Sequence, residues 1–123
     1  MEGDYCLNKR EVGSIKEELA AQFLRENGIN IREMNFRCRF GEIDIVANDN
    51  NKVIFVEVKY RKTASKGHPE EAVNISKAKT ICKVADYYRI RHRLNDSMQI
   101  RFDVIAIEGN QIRWYKNAFP YIR

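Results

Sequence analysis

The sequence predicts a single α/β domain in which helices cover a mixed β-sheet. The chain has 123 residues, enough for one compact core and too few for two ordinary domains. Two segments repeat apolar residues at helical spacing, and five others are strand-like and separated by turn residues. We therefore expect the order α-β-β-β-α-β-β within one domain over residues 1–123, with residues 1–13 mobile because they show no apolar period.

The first helix and the first strand precede a basic turn. Apolar residues recur at helical spacing from Ser14 onward, at Ile15, Leu19 and Phe23. The pair Asn27-Gly28 supplies a C-terminal stop for this helix. An extended segment is predicted at 29–36, followed by a basic turn at 37–39.

A hairpin is predicted next, from two strands joined by an amide-rich turn. Residues 41–47 alternate acidic and apolar side chains, and residues 52–61 are dense in β-branched residues. The segment 48–51 between them consists of Asn and Asp, which tolerate unusual backbone angles. Its position predicts that the two strands pair in an antiparallel manner.

The second half is expected to contain one helix and two strands. Pro69 suits a first helical position, and the two glutamates after it complement the positive end of a helix dipole. We expect this helix to be interrupted at 73–76 and to run to Arg93. Strands are predicted at 99–108 and 111–116, separated by a Gly-Asn turn.

Composition and charge limit the classes of function. Lys and Arg total 22 against 17 Asp and Glu, a net charge of +5 that favours a polyanionic partner. No apolar run reaches the ~18–20 residues that span a bilayer, and the amino terminus lacks the apolar core of a signal peptide. We therefore expect a cytoplasmic protein with no membrane partner, whose three widely spaced cysteines are reduced thiols.

Acidic residues occupy strand positions of the hairpin where apolar residues are expected. With a turn centred on 50–51, antiparallel partners have numbers that add to 101, which places Asp44 opposite Glu57. The same register places Glu42 opposite Lys59. Opposed carboxylates repel each other, and one divalent cation bridges both, so the pattern is typical of a Mg²⁺ or Mn²⁺ site. Lys59 would then lie near the charge that develops in phosphodiester hydrolysis.

An internal salt bridge of Lys59 with Glu42 or Glu57, without any metal, explains the pattern equally well.

Several segments resemble the small bacterial YraN family. They are NFRCR at 35–39, GEIDIV at 41–46, VIFVEVKYR at 53–61 and RFDV at 101–104. That family in turn resembles the PD-(D/E)xK nucleases, which include archaeal Holliday-junction resolvases and carry an acid on one strand and acid-x-Lys on the next. The resemblance implies a restriction-endonuclease-like fold. It also implies that Asp44 and Glu57-Val58-Lys59 are the metal-dependent catalytic residues of a nuclease.

The resemblance also points to an acid on the first helix. Family members tend to carry Gly-Glu before a helical Leu-Ala, which aligns Glu17 with that acid and puts Lys16 in place of the glycine. Glu17 also has the spacing of a capping box with Ser14. A helix cap and a site residue are therefore equal alternatives for Glu17.

Basic residues near the acidic strands are candidates for phosphate contacts. Arg37 and Arg39 lie in the connection that leads into the acidic strand, and Arg61 ends the third strand. Arg101 and Asp103 share a strand face, which favours a structural ion pair over a metal role for Asp103.

These observations lead to one functional prediction and two alternatives. The prediction is a metal-dependent nuclease that hydrolyses DNA, branched DNA included. A noncatalytic nucleic-acid-binding module would retain the fold, with or without the cation, and a small adaptor would use the same acids as salt bridges. The sequence leaves the oligomeric state open, a homodimer included.

Overall fold

One helix packs on each face of a five-stranded sheet, which gives three layers. The computed structural model describes residues 9–61 and 73–123. In chain order the elements are α1 (Lys9–Glu26), β1 (Asn30–Cys38), β2 (Gly41–Asp49), β3 (Lys52–Arg61), α2 (Ile75–Arg91), β4 (Gln99–Glu108) and β5 (Gln111–Tyr115). The predicted α/β class and the order α-β-β-β-α-β-β are confirmed, and the layers agree with the expected restriction-endonuclease-like fold.

The described strands lie side by side in sequence order, and the β3–β4 pair is the parallel one among them. The sheet order is β1-β2-β3-β4-β5. β3 pairs with β4 in parallel, from Lys52 opposite Gln99 to Arg61 opposite Glu108, and the other three neighbouring pairs are antiparallel. A parallel pair requires a long crossover, and α2 lies within this one. β3 is therefore central and covered on both faces, which explains its nearly continuous apolar sequence.

Two apolar clusters, one on each side of the sheet, hold the helices in place. On the α1 side, Ala20, Ala21 and Leu24 pack against β2, β3 and β4. On the α2 side, Ile81, Val84 and Tyr88 pack against apolar residues that include Phe36, Phe55 and Phe102. Neither described helix combines the length and the apolar composition of a transmembrane span.

A buried carboxylate ties β4 to β5 and to the segment that follows. Asp103 is 0% exposed and accepts two hydrogen bonds of 2.8 Å from Arg101. It also accepts hydrogen bonds from the indole N–H of Trp114 and the backbone N–H of Asn117, each at 2.9 Å. The expected Arg101–Asp103 pair is therefore present, and Arg101 extends it to Asp49 at 3.1 Å.

The helix boundaries differ from those predicted. α1 begins at Lys9, so the expected helix start at Ser14 is wrong. The preceding turn has no apolar period, but Lys, Arg and Glu are good helix formers. α2 begins at Ile75 after an Asn74 cap and ends at Arg91, two residues early. The predicted helical start at Pro69 lies outside the described residues.

The first strand is longer than predicted, and the turn after it is shorter. β1 continues to Cys38, so Arg37 lies on a strand and not in a basic turn. The pairing of Arg37 with Glu42 across the β1–β2 ladder accounts for this extension. Arg39 and Phe40 form the remaining turn.

Candidate functional site

The predicted register of the β2–β3 hairpin is present. Residue pairs from Asp49 opposite Lys52 to Ile45 opposite Val56 all have numbers that add to 101. Beyond Ile45 the carboxylate of Asp44 accepts a hydrogen bond of 2.8 Å from the backbone N–H of Val58. At this point a hydrogen bond to the Asp44 side chain takes the place of a backbone–backbone hydrogen bond between the strands. The Asp44 side chain also hydrogen-bonds Glu57.

The change in pairing coincides with a break in strand alternation. Asn35 on β1 has φ +52°, a left-handed conformation that Asn adopts more readily than most residues. The residues on either side of it, Met34 and Phe36, belong to opposite core clusters. Ile43 and Ile45, which flank Asp44, do the same. This local twist brings the polar residues between them to one end of the sheet.

Asp44 lies in an environment that opposes its ionisation. Burial is the largest cause, and the negative charge of Glu57 is the next; together they raise the pKa of Asp44 from 3.8 to about 8. The negative charge of Glu17 and a hydrogen bond to Glu57 act in the same direction, and the hydrogen bond from Val58 acts against them. Asp44 therefore keeps its proton at neutral pH when no cation is bound.

Two lysines contact the carboxylate of Glu57, which is only 7% exposed. The ammonium of Lys59 lies 3.5 Å from Glu57 Oε2, and the ammonium of Lys77 lies 3.1 Å from the same oxygen. The Lys59–Glu57 contact is one of the two salt bridges that the sequence allowed. The proposed pairing of Lys59 with Glu42 is not formed, because Glu42 turns toward β1 and contacts Arg37 at 3.2 Å.

Glu17 belongs to this end of the sheet and does not cap α1. Ser14 lies inside α1, so the capping-box alternative is wrong. The carboxylate of Glu17 accepts a hydrogen bond of 2.6 Å from the Asn35 side-chain amide, which also donates to Glu42 at 3.3 Å. The ammonium of Lys16 is 4.4 Å from the ring centre of Tyr60, on the strand that carries Lys59. Through the side chain of Asn35, Glu17 is linked to Glu42 on β2.

A cavity of about 480 Å³ opens onto the paired acids. β2 and β3 contribute Asp44 and Glu57, and the first turns of α2 contribute polar side chains. The lining residues are Gly41, Glu42, Asp44, Glu57, Asn74, Ser76, Lys77, Thr80 and Ile81. The cavity is therefore walled by acids on one side and by hydroxyl, amide and ammonium groups on the other.

The two acids suit a hydrated divalent cation. Within residues 9–61 and 73–123, no group of three or more acidic, His or Cys side chains is placed to bind a metal ion. Mg²⁺, however, keeps several waters and is often held by one or two carboxylates together with substrate phosphate. Two adjacent carboxyl groups, of which Asp44 is protonated, fit that donor set, because a cation would take the place of the Asp44 proton. Asp44 and Glu57 are thus the residues able to hold it.

The three predicted phosphate-binding arginines lie at different places. Arg37 is exposed on β1 and contacts Glu42, and Arg39 in the following turn lies over the ring of Phe40. Arg61 ends β3 opposite Glu108. The structure thus places Arg37 and Arg39 on the strand and turn leading into the acidic strand.

Two residues of this site, Asn35 and Lys77, were not predicted from the sequence. Asn35 has no local signal, because its role depends on a left-handed residue within a strand and on the packing of α1. Lys77 does have one. It is the third residue after the Asn74 cap, near the positive end of the helix dipole, where a lysine is unfavourable unless an anion compensates it. Glu57 supplies that anion.

The layered α/β fold, with Asp44, Glu57 and Lys77 lining one cavity and Lys59 in contact with Glu57, defines a small domain with a polar cleft. The family model described as "Uncharacterised protein family UPF0102" matches residues 16–107. A UPF0102 protein of Lachnoclostridium phytofermentans is 49% identical over 113 residues, covering 92% of this chain and 96% of the relative. Those of Caldicellulosiruptor saccharolyticus and Acetivibrio thermocellus are 40% and 45% identical, covering 92% and 91% of this chain and 100% and 93% of the relatives. The chain belongs to the UPF0102 family, which confirms the resemblance to YraN-like proteins.

Proposed function

We propose that this protein is a metal-dependent nuclease that hydrolyses phosphodiester bonds in DNA. The observation that carries the proposal is the contact between Asp44 and Glu57 at the cavity, with two lysines on the same carboxylate. Buried like charges are costly unless they are neutralised, and a divalent cation and a phosphate together neutralise all four groups. The positive net charge of the chain favours the same substrate.

The residues of the site have separable roles in this proposal. A cation held by Asp44 and Glu57 would supply Lewis-acid stabilisation of charge on the phosphate. The hydrogen bond from Val58 fixes the orientation of the Asp44 carboxylate beside Glu57. With Glu57 holding a cation, the ammonium of Lys59, which now contacts Glu57, would be free to hydrogen-bond the attacking water or a phosphate oxygen. Lys77, from the opposite wall of the cavity, is placed to hold the phosphate.

One observation favours a second candidate, a nucleic-acid-binding module without catalysis. Lys59 and Lys77 already compensate Glu57, so the described site is electrostatically complete without a cation. The two candidates differ in what Mg²⁺ does. A nuclease requires it for turnover, whereas a module of this kind binds DNA equally well in its absence.

The deciding experiment is a cleavage assay on linear, flapped and four-way DNA with Mg²⁺, Mn²⁺ or EDTA. We expect cation-dependent cleavage by the wild type and none by Glu57→Gln, which keeps the size of the side chain. Glu18→Gln, on the exposed side of α1, is the matched control and should cleave like the wild type. Equal cleavage by Glu57→Gln would identify a contaminating nuclease, and absence of cleavage on every substrate would favour the binding module.

A further inference from the structure

An exposed aromatic pair lies beside the cavity. Phe40 is 42% exposed and Tyr87 is 36% exposed, and their ring centres are 6.3 Å apart with the rings inclined at 68°. Phe40 directly precedes Gly41, which lines the cavity with Asp44 and Glu57. The guanidinium of Arg39 lies 4.9 Å from the ring centre of Phe40. We call Arg39, Phe40 and Tyr87 the aromatic platform.

The platform is held in place by close packing behind it. Gly41 has φ +149°, and a Cβ at this position would lie 3.0 Å from Thr80 Cγ2, so the β1–β2 turn approaches α2 as closely as glycine allows. Phe36 lies beneath Tyr87, with ring centres 6.2 Å apart, and is itself buried. The two exposed rings are therefore positioned by the fold before any ligand arrives.

The chemistry of the platform favours a ligand that is both aromatic and anionic. No carboxylate among the described residues lies within ion-pair distance of Arg39, so its charge is available to a ligand. An apolar protein partner would use the rings but would leave this cation without a counterion. A nucleotide offers a flat ring for Phe40 and a phosphate for Arg39. The charge complementarity thus selects nucleic acid over an apolar surface.

We propose that the aromatic platform binds an unpaired nucleobase by stacking, and that the protein acts on single-stranded DNA or on a single-stranded branch. In a duplex both faces of each base are covered by its neighbours, so an exposed ring can stack only on a base that has left the helix. The stacked base lies next to the cavity because Phe40 and Gly41 are consecutive. The inference rests on the proposed function for the fate of the neighbouring phosphate, but the binding step is independent of cleavage.

The test is the affinity of the full chain for fluorescein-labelled oligo(dT) and for a blunt duplex of the same length, measured by anisotropy in EDTA. Phe40→Ala should weaken oligo(dT) binding by about 10-fold, as for loss of one stacked base, with duplex binding changed by less than about twofold. Phe40→Leu should lose as much as Phe40→Ala, because it keeps apolar bulk without an aromatic face. Phe40→Trp should retain wild-type affinity. Tyr121→Ala, which removes a 41%-exposed ring from the carboxyl-terminal segment, is the control and should bind like the wild type.

Several results would overturn the inference. They are wild-type binding of oligo(dT) by Phe40→Ala, retention of affinity by Phe40→Leu, an equal loss for duplex and single strand, or no oligo(dT) binding by the wild type. Thermal denaturation of each variant separates loss of binding from loss of fold. Because the assay contains EDTA, Phe40-dependent binding by a protein that never cleaves DNA would support the platform and contradict only the nuclease proposal.

Discussion

The carboxylate of Glu57 contacts two lysine ammonium groups, although one would balance its charge. Lys59 comes from its own strand and Lys77 from α2, at 3.5 Å and 3.1 Å. Because a structural ion pair needs only one partner, the second lysine is available to a substrate. The roles of the two lysines can therefore be tested separately by mutation.

Lys59→Met should preserve the fold and remove most of the cleavage. The substitution keeps much of the aliphatic stem and deletes the ammonium, and Lys77 still compensates Glu57. We expect the single-turnover rate to fall by about 10²–10³, as for removal of one preorganised electrostatic contact. Lys83→Met on the exposed face of α2 is the control. A Lys59→Met protein that cuts at the wild-type rate would remove Lys59 from the mechanism.

Ionisation of Asp44 should oppose folding when no cation is present. Its pKa is raised from 3.8 to about 8 by burial and by Glu57, so the folded state binds this proton more tightly than the unfolded state. The resulting stabilisation is complete below pH 3.8 and is lost as pH rises through about 8. In EDTA, Asp44→Asn should abolish this pH dependence and be more stable than the wild type at high pH, by about 2 kcal/mol. Urea denaturation across the pH range measures this, and parallel profiles for the two proteins would show that the prediction is wrong.

At the scale of elements, Asn35 connects α1 to the acidic strand. Its amide bonds Glu17 and Glu42, and its backbone has φ +52°. Both Asn35→Ala and Asn35→Gly remove the amide. Alanine is strained in the left-handed conformation of this residue, whereas glycine adopts it without strain.

Both Asn35 variants should be less stable than the wild type. The free energy of unfolding of Asn35→Ala should be about 1 kcal/mol below that of Asn35→Gly. Urea denaturation gives the free energies of unfolding. If the two variants were equally stable, the left-handed backbone would contribute nothing at this position. If neither differed from the wild type, the amide would not be holding Glu17.

The two strands that carry Asp44 and Glu57 can be predicted from local sequence, whereas the contacts between helices and strands cannot. The amide-rich turn and the alternation around it fix the register of β2 and β3, so Asp44 and Glu57 are predictable neighbours. The break in strand alternation at Asn35 was not predictable. The alternation of side chains along a strand has a period of two residues, and this pattern does not show where a residue with positive φ interrupts it. Lys77 reaches Glu57 only through the docking of α2 on the sheet, which depends on residues far apart in the chain.

At the scale of the molecule, the excess of positive charge should govern DNA affinity. The net charge of +5 and the absence of a recognisable base-reading motif favour binding through phosphates. We expect affinity to fall steeply with salt, and Arg37→Ala and Arg39→Ala each to weaken binding across many sequences and reduce the salt slope by about 1. Anisotropy titrations at several salt concentrations measure both effects. A salt-independent affinity, or a loss confined to one sequence, would contradict this account.

Asp44 and Glu57 together should bind a divalent cation, and calorimetric titration with Mn²⁺ measures that binding. We expect one site per chain in the wild type, lost in Asp44→Asn and in Glu57→Gln and retained in Glu18→Gln. We also expect proton release on binding that grows as pH falls below about 8, because Asp44 must lose its proton to bind the cation. Equal binding heats for the wild type and Asp44→Asn, or no binding by the wild type, would contradict the claim.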